Sequence, residues 1–214
     1  MSVKIAIAQI QLQEGQTIVL AHISWSEFES ILEDLGERRR SRIAYYQGVL
    51  EIHMPLPEHE RYKVLISNLL VILLDELGME WESLGSTTFK RQRMRAGIEL
   101  DDCFYIENYR AMIGKKRLDL EVDPVPDLAI EIDVTSQTKV SAYEALGVAE
   151  IWRWKDHKLE INLLRDGKYI SSDTSQIFPL FPVVEGFTLF IDRSTELPIS
   201  ALRREFRQWV QTKI

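Results

Sequence analysis

Asp127, Ala129, Glu131 and Asp133 alternate with Leu128, Ile130, Ile132 and Val134 in the stretch that runs from Pro126 to Lys139. Side chains on a strand point to opposite faces in turn, so the apolar set reads as the face of a buried β-strand. The acids then share the other face. Carboxylates crowded there repel one another and lose hydration, so they need a cation or a basic partner. Thr135 and Ser136 are placed to stop the strand and cap a helix whose first turn holds Lys139. Strand, acidic cluster and adjacent lysine are the parts that metal-dependent phosphodiester hydrolysis requires. The blander reading is a strand end whose acids pair with arginines elsewhere in the fold.

The flanking elements are legible in order. Val3–Leu12 alternates enough for a strand or an arm on another subunit. Ser24-Trp-Ser-Glu27 is a capping box that opens a helix to Leu35, closed by Gly36. Two short β-runs within 43–53 flank Gln47-Gly48 and predict a hairpin. A long, largely buried helix follows from about Glu58 to Leu77, with Gly78 as its cap and with His59 and Glu60 in its first turn. Strands are expected over 80–88 and 89–95, a turn at Gly97, and a strand over Cys103–Ile106. After the acid-bearing strand come a helix over 138–146 that puts Lys139 and Tyr143 on one face, and a strand over 150–154. Asp166-Gly167 predicts another hairpin, and 187–191 a short strand. Leu202, Phe206, Trp209 and Val210 stripe a final helix, suited to the core or to a partner subunit. The mixture is α/β of the mixed α+β kind.

The chain has 214 residues, 45% hydrophobic and 28% charged, which suits one domain spanning 1–214, with an arm over 1–19 and a terminal helix over 196–214. A single cysteine, Cys103, excludes an internal disulfide and points to a reducing compartment; the apolar run Leu69–Leu74 is too short for a bilayer. A cytoplasmic protein with no membrane partner is expected. Net charge of −7 argues against a non-specific nucleic-acid coat but not against a nuclease. Basic strips are available for phosphates at 38–42, at 115–117, and at Arg91, Arg93 and Arg95, whose strand spacing would align three guanidiniums. His22, His53, His59 and His157 lack zinc spacing, and no Gly-rich phosphate loop precedes a helix.

An ordered set of short motifs carries a resemblance. Tyr46-x-Gly48-x-Leu50, Pro57-x-His59-Glu60, Gly97-x-Glu99-x-Asp101-x-x-Phe104-Tyr105, Pro126-Asp127-Leu-Ala-Ile-Glu131, Lys139-x-x-x-Tyr143 and Leu146-Gly-Val-x-Glu-Ile-Trp152 recur in sequence. Together they resemble the Uma-type restriction endonucleases, bacterial proteins of the PD-(D/E)XK nuclease superfamily, over residues 20–195. The resemblance implies a restriction-endonuclease-like core of α-β-β-β-α-β order and an Mg2+- or Mn2+-dependent endonuclease acting on double-stranded DNA, working as a homodimer. Asp101 matches the motif aspartate, Glu131 the (D/E) position, and Glu60 an acid on the first core helix. Asp133 stands where the motif lysine usually does, and Lys139 is placed to supply that ammonium. Leu100 and Ala149 replace prolines. The expected metal ligands are Asp101, Glu131 and the Ile132 carbonyl, with His59, Tyr143 and Asp133 as possible additions. Asp127 is read as structural, and Glu99 as a weaker candidate ligand. The substitution at Asp133 leaves open a second reading, a catalytically inactive nuclease-fold scaffold that binds nucleic acid or protein.

Overall fold

In the computed structural model the described residues are 7, 10–36, 39–134 and 140–214. Strand β1 (Thr17–Leu20) precedes helix α1 (Trp25–Leu35) and the hairpin of β2 (Arg42–Tyr46) and β3 (Val49–His53). Ser24 caps α1 reciprocally: its hydroxyl accepts from the Glu27 amide at 3.3 Å, and the Glu27 carboxylate accepts from the Ser24 amide at 2.8 Å. Gln47 and Gly48 turn the hairpin with φ of 46° and 89°, the paired positive φ that matches strand twist. The strand expected over 3–12 lies largely outside the described residues, and 10–12 is irregular. In its place β1, not anticipated, pairs antiparallel with β3.

Helix α2 (Pro57–Glu76) has proline at its first turn, where no amide partner is lost, and it buries Tyr62, Leu65, Ile66, Leu69, Leu70, Ile72, Leu73 and Leu74. Next come β4 (Glu82–Ser83), β5 (Thr88–Arg91), β6 (Ala96–Glu99), β7 (Asp102–Tyr105) and the short α3 (Tyr109–Met112). The acid-bearing strand is β8 (Leu128–Ile132), followed by α4 (Val140–Leu146), β9 (Glu150–Lys155), β10 (Lys158–Arg165) and β11 (Lys168–Ser172). Helices α5 (Val183–Asp192) and α6 (Ile199–Gln211) complete the chain.

Two sheets result. The first is wholly antiparallel in the order β1-β3-β2-β6-β5; the second runs β11-β10-β9-β8-β7-β4, with only β8 and β9 parallel. Helix α4 is the crossover that a parallel pair demands. Within the second sheet the succession α2-β4-β7-β8-α4-β9 is the expected α-β-β-β-α-β core, with β5 and β6 diverted into the first sheet. One face of this second sheet packs on α2, α5 and α6 through Leu128, Ile130, Ile132, Trp152 and Phe187. Its other face meets α4 and β6 through Ala129, Cys103, Tyr105, Ile98 and Tyr143. The alternation read in β8 is therefore the alternation between two cores.

Four expectations fail for packing reasons. The strand over 80–88 shrinks to β4. The strand over 89–95 stops at Arg91 and continues as a 3-10 turn, with Arg95 left-handed at φ 48°, so Arg91, Arg93 and Arg95 do not share a face. Gly97 lies inside β6, where a Cβ would sit 2.7 Å from the Phe28 ring; close packing, not a turn, requires glycine. Residues 187–191 belong to helix α5. There Val183, Phe187, Phe190 and Ile191 face the core at helical spacing, and this burial overrides their β-propensity. The stripe of α6 is consumed in the same core, so it offers no free apolar face for a partner.

Candidate active site

The acids assemble where the chain changes sheets. Asp101 lies in the two-residue link from β6 in the first sheet to β7 in the second. Because Asp102 pairs with Ile130 in antiparallel register, Asp101 arrives beside Glu131. The Asp101 amide donates to Glu131 Oε1 at 3.2 Å, and the Ile132 amide donates to Asp101 Oδ2 at 2.9 Å. Both carboxylates are buried, at 4% and 8% exposure. They line a small cleft of about 60 Å³ together with Arg42, His59, Glu99, Ile132 and Asp133.

Each carboxylate is oriented by a neighbour. His59, in the first turn of α2, shares a hydrogen bond through Nε2 with Asp101 Oδ2 at 3.0 Å. The Tyr143 hydroxyl, carried by α4, donates to Glu131 Oε1. Burial raises the Glu131 carboxyl far above its ordinary range, and the Asp101 charge raises it further, against the hydrogen bonds from Tyr143 and the Asp101 amide. Burial and the Glu131 charge likewise push the Tyr143 phenol well up. Burial opposes protonation of His59, but its hydrogen bond with Asp101 and the nearby charges of Asp101 and Glu60 prevail and raise it to about 9. Glu60 is drawn down to about 2 chiefly by its His59 contact, which outweighs partial burial, with Lys63 and Arg42 adding.

Arginines of the 38–42 basic strip enter the site. Arg42, the first residue of β2, places its guanidinium 2.9 Å from Glu60 Oε1, 3.3 Å from Glu99 Oε1 and 3.5 Å from Asp101 Oδ1. Arg39 donates to Glu99 at 2.8 Å and to the Thr88 hydroxyl at 2.8 Å. Glu99 is thus occupied by two guanidiniums. No local motif betrays Arg42; the signal is an acid-rich cleft that needs a cation, met across the two sheets.

The remaining residues sort by position. Glu60 is close to the cluster but sits on its rim, with its side chain 43% exposed. Asp133 lines the cleft, yet it accepts from Arg153 Nε at 3.0 Å and from a second nitrogen of the same guanidinium. Arg153 is the residue that faces Glu131 in the parallel β8–β9 register, so the acid at the lysine position is met by a fixed cation. Asp127 holds a loop: its Oδ2 accepts from the amides of Ile106, Glu107 and Asn108 at 2.7, 2.9 and 3.2 Å. Arg91 is turned inward toward the carbonyls of Leu120 and Leu146, while Arg93, salt-bridged to Glu121, and Arg95 stay exposed. Lys139 lies outside the described residues. Among the described residues no group of three or more His, Cys, Asp or Glu side chains is placed to hold a metal ion.

The profile of the Uma2 family, described as "Putative restriction endonuclease", matches residues 25–194, well over half of the chain. The chain belongs to the Uma2 family. The matched span opens at the first residue of α1, ends just beyond α5, and contains Arg42, His59, Asp101, Glu131 and Tyr143. A solved structure described as that of a putative nuclease belonging to DUF820, from Anabaena variabilis ATCC 29413, is similar at a TM-score of 0.46 and 14% identity, covering 86% of this chain and 99% of that one. No curated protein matches. Uma2 membership puts the chain among nuclease-type proteins. Among the described residues no helix is long and apolar enough to cross a membrane.

Proposed function

We propose that this Uma2 chain is an endonuclease that hydrolyses phosphodiester bonds of double-stranded DNA with the aid of Mg2+ or Mn2+. The observation that carries the reading is the buried pair Asp101 and Glu131, side by side at the floor of a polar cleft. Two adjacent buried carboxylates cannot both stay ionised without a proton or a cation. Their oxygens, joined by the Ile132 carbonyl, would make the open, oxygen-only donor set that suits an ion keeping several waters.

Asp101, Glu131 and the Ile132 carbonyl would hold the ion. When bound, it supplies a water of lowered pKa and a counter-charge for a phosphate oxygen. The chain's own groups do the positioning. His59 and the Ile132 amide hold Asp101 in one rotamer, and the Tyr143 hydroxyl does the same for Glu131. Arg42, which lines the same cleft, would add positive charge beside a bound phosphate. Lys139 is assigned the ammonium that stabilises the developing charge, with Asp133 neutralised by Arg153 instead of opposing it. Arg93 and Arg95, on the exposed turn after β5, are left to meet backbone phosphates.

Supercoiled plasmid incubated with the purified protein and Mg2+, Mn2+ or EDTA tests the reading, beside Glu131→Ala and Lys139→Ala. Metal-dependent nicking that vanishes in both variants is expected. Nicking kept by Lys139→Ala removes that lysine from the mechanism. Nicking kept by Glu131→Ala rejects this assignment of the site, and no nicking of plasmid under any condition rejects the endonuclease and favours the inactive scaffold.

A further inference from the structure

We infer that Arg42 is a built-in cation of the acidic cluster, competing with a divalent ion for Asp101 and restricting the cluster to one ion. The inference deepens the metal-site reading above and rests on it for the place where the ion would sit. One guanidinium here serves three carboxylates: Glu60 at 2.9 Å, Glu99 at 3.3 Å and Asp101 at 3.5 Å. These acids come from three different elements, α2, β6 and the link to β7. The Arg42 side chain is only 16% exposed, so water screens little of the attraction.

The hydrogen bonding is left incomplete in a telling way. Arg42 Nε is buried with no hydrogen-bond partner, although Asp101 lies just beyond bonding range. His59 Nδ1, on a side chain 4% exposed, is also without one, with Glu60 at 3.5 Å. A guanidinium fixed to one structural partner would donate two parallel hydrogen bonds to it. Spread over three acids, Arg42 instead acts as a shared counter-charge. Glu99 is further held by Arg39 at 2.8 Å, and Glu60 by Lys63 at 3.2 Å. With these acids neutralised, Asp101 and Glu131 remain for an ion, and the Arg42 charge opposes it across Asp101. Removing that charge strengthens ion binding and frees acids for a second ion.

Calorimetric titration of metal-free protein with Mn2+ tests this on the full chain, comparing wild type, Arg42→Gln and Arg42→Lys, with thermal melts in EDTA and in Mn2+. Arg42→Gln is expected to bind Mn2+ about tenfold more tightly, or to take up an additional equivalent. It should melt lower than wild type in EDTA and regain stability with Mn2+. Arg42→Lys keeps the charge and should titrate like wild type. An Arg42→Gln chain that is unfolded in EDTA must refold when Mn2+ is added. Equal Mn2+ uptake by wild type and Arg42→Gln, including none by either, overturns the inference, as does a variant that Mn2+ cannot restore. Uptake by Arg42→Gln but not by wild type upholds it while defeating the metal-site reading for the native chain.

Discussion

His59 is the residue whose protonation most directly tunes the site. It touches Asp101 through one ring nitrogen and approaches Glu60 with the other, and its pKa rises from the usual 6.5 to about 9. A group that binds its proton more tightly folded than unfolded stabilises the fold while that proton is present. The contribution is therefore complete below about pH 6.5 and is lost as pH climbs through 9. Urea denaturation of metal-free protein should show stability falling over that window, and His59→Gln should flatten the fall; parallel curves would exclude His59 as its source. Asp127 belongs to the same scale but to a different job. Its carboxylate gathers three amides of the 106–108 turn and the Asn108 side chain at 2.8 Å, with no part in the cleft. Asp127→Ala should cost roughly 2–3 kcal/mol, the worth of hydrogen bonds to a charged acceptor, while leaving Mn2+ affinity untouched. A loss of metal binding without a loss of stability would reverse that assignment.

Helices α5 and α6 show how elements far from the chemistry hold α2, and with it His59, in place. Phe187, Phe190 and Phe206 pack edge to face, and Phe181 meets Trp209 in the same way. Gly186 sits under the Trp209 indole so closely that a Cβ there would overlap the ring. Gly186→Ala should therefore destabilise by about 1–3 kcal/mol, as overpacking does, and Phe206→Ala by about 3–5 kcal/mol, as a large core cavity does. Equilibrium denaturation with a native-like slope would measure both. A neutral Gly186→Ala would mean that the α5–α6 contact yields more easily than this packing implies.

At the scale of the whole molecule, the cleft lies where the chain passes from β6 of the first sheet to β7 of the second. β6 ends the first sheet's contribution, Asp101 crosses, and β7 begins the second, while α2 brings His59 and β2 brings Arg42 from either side. An ion bound at this junction ties both sheets together, so it should stabilise the entire fold and not one segment. At a hundredfold excess of Mn2+ over its dissociation constant the gain should be about 2.7 kcal/mol, seen as a single raised melting transition that Glu131→Ala abolishes. A rise of equal size in that variant would place the ion elsewhere.

What the chain declares locally proved readable. The capping box of α1, the Gln47-Gly48 and Asp166-Gly167 turns, the buried helix after Pro57 and the two-faced strand β8 all depend on neighbours in sequence. Asp101 and Glu131, picked out by short motifs, do lie side by side, and Asp127 does hold a turn. What failed depends on neighbours in space. The strand run Arg91–Arg95 breaks in a tight turn, and Gly97 answers to Phe28 rather than to its own backbone. Residues 187–191 are helical because α6 and the second sheet bury that helical face, which outweighs their local β-propensity. Arg42 joins Asp101 across 59 positions of sequence only when the sheets close on each other. A periodicity states which face of an element is apolar. Which charge meets which acid is decided by the packing of distant elements, because electrostatic pairing falls off with distance in space and is indifferent to distance along the chain.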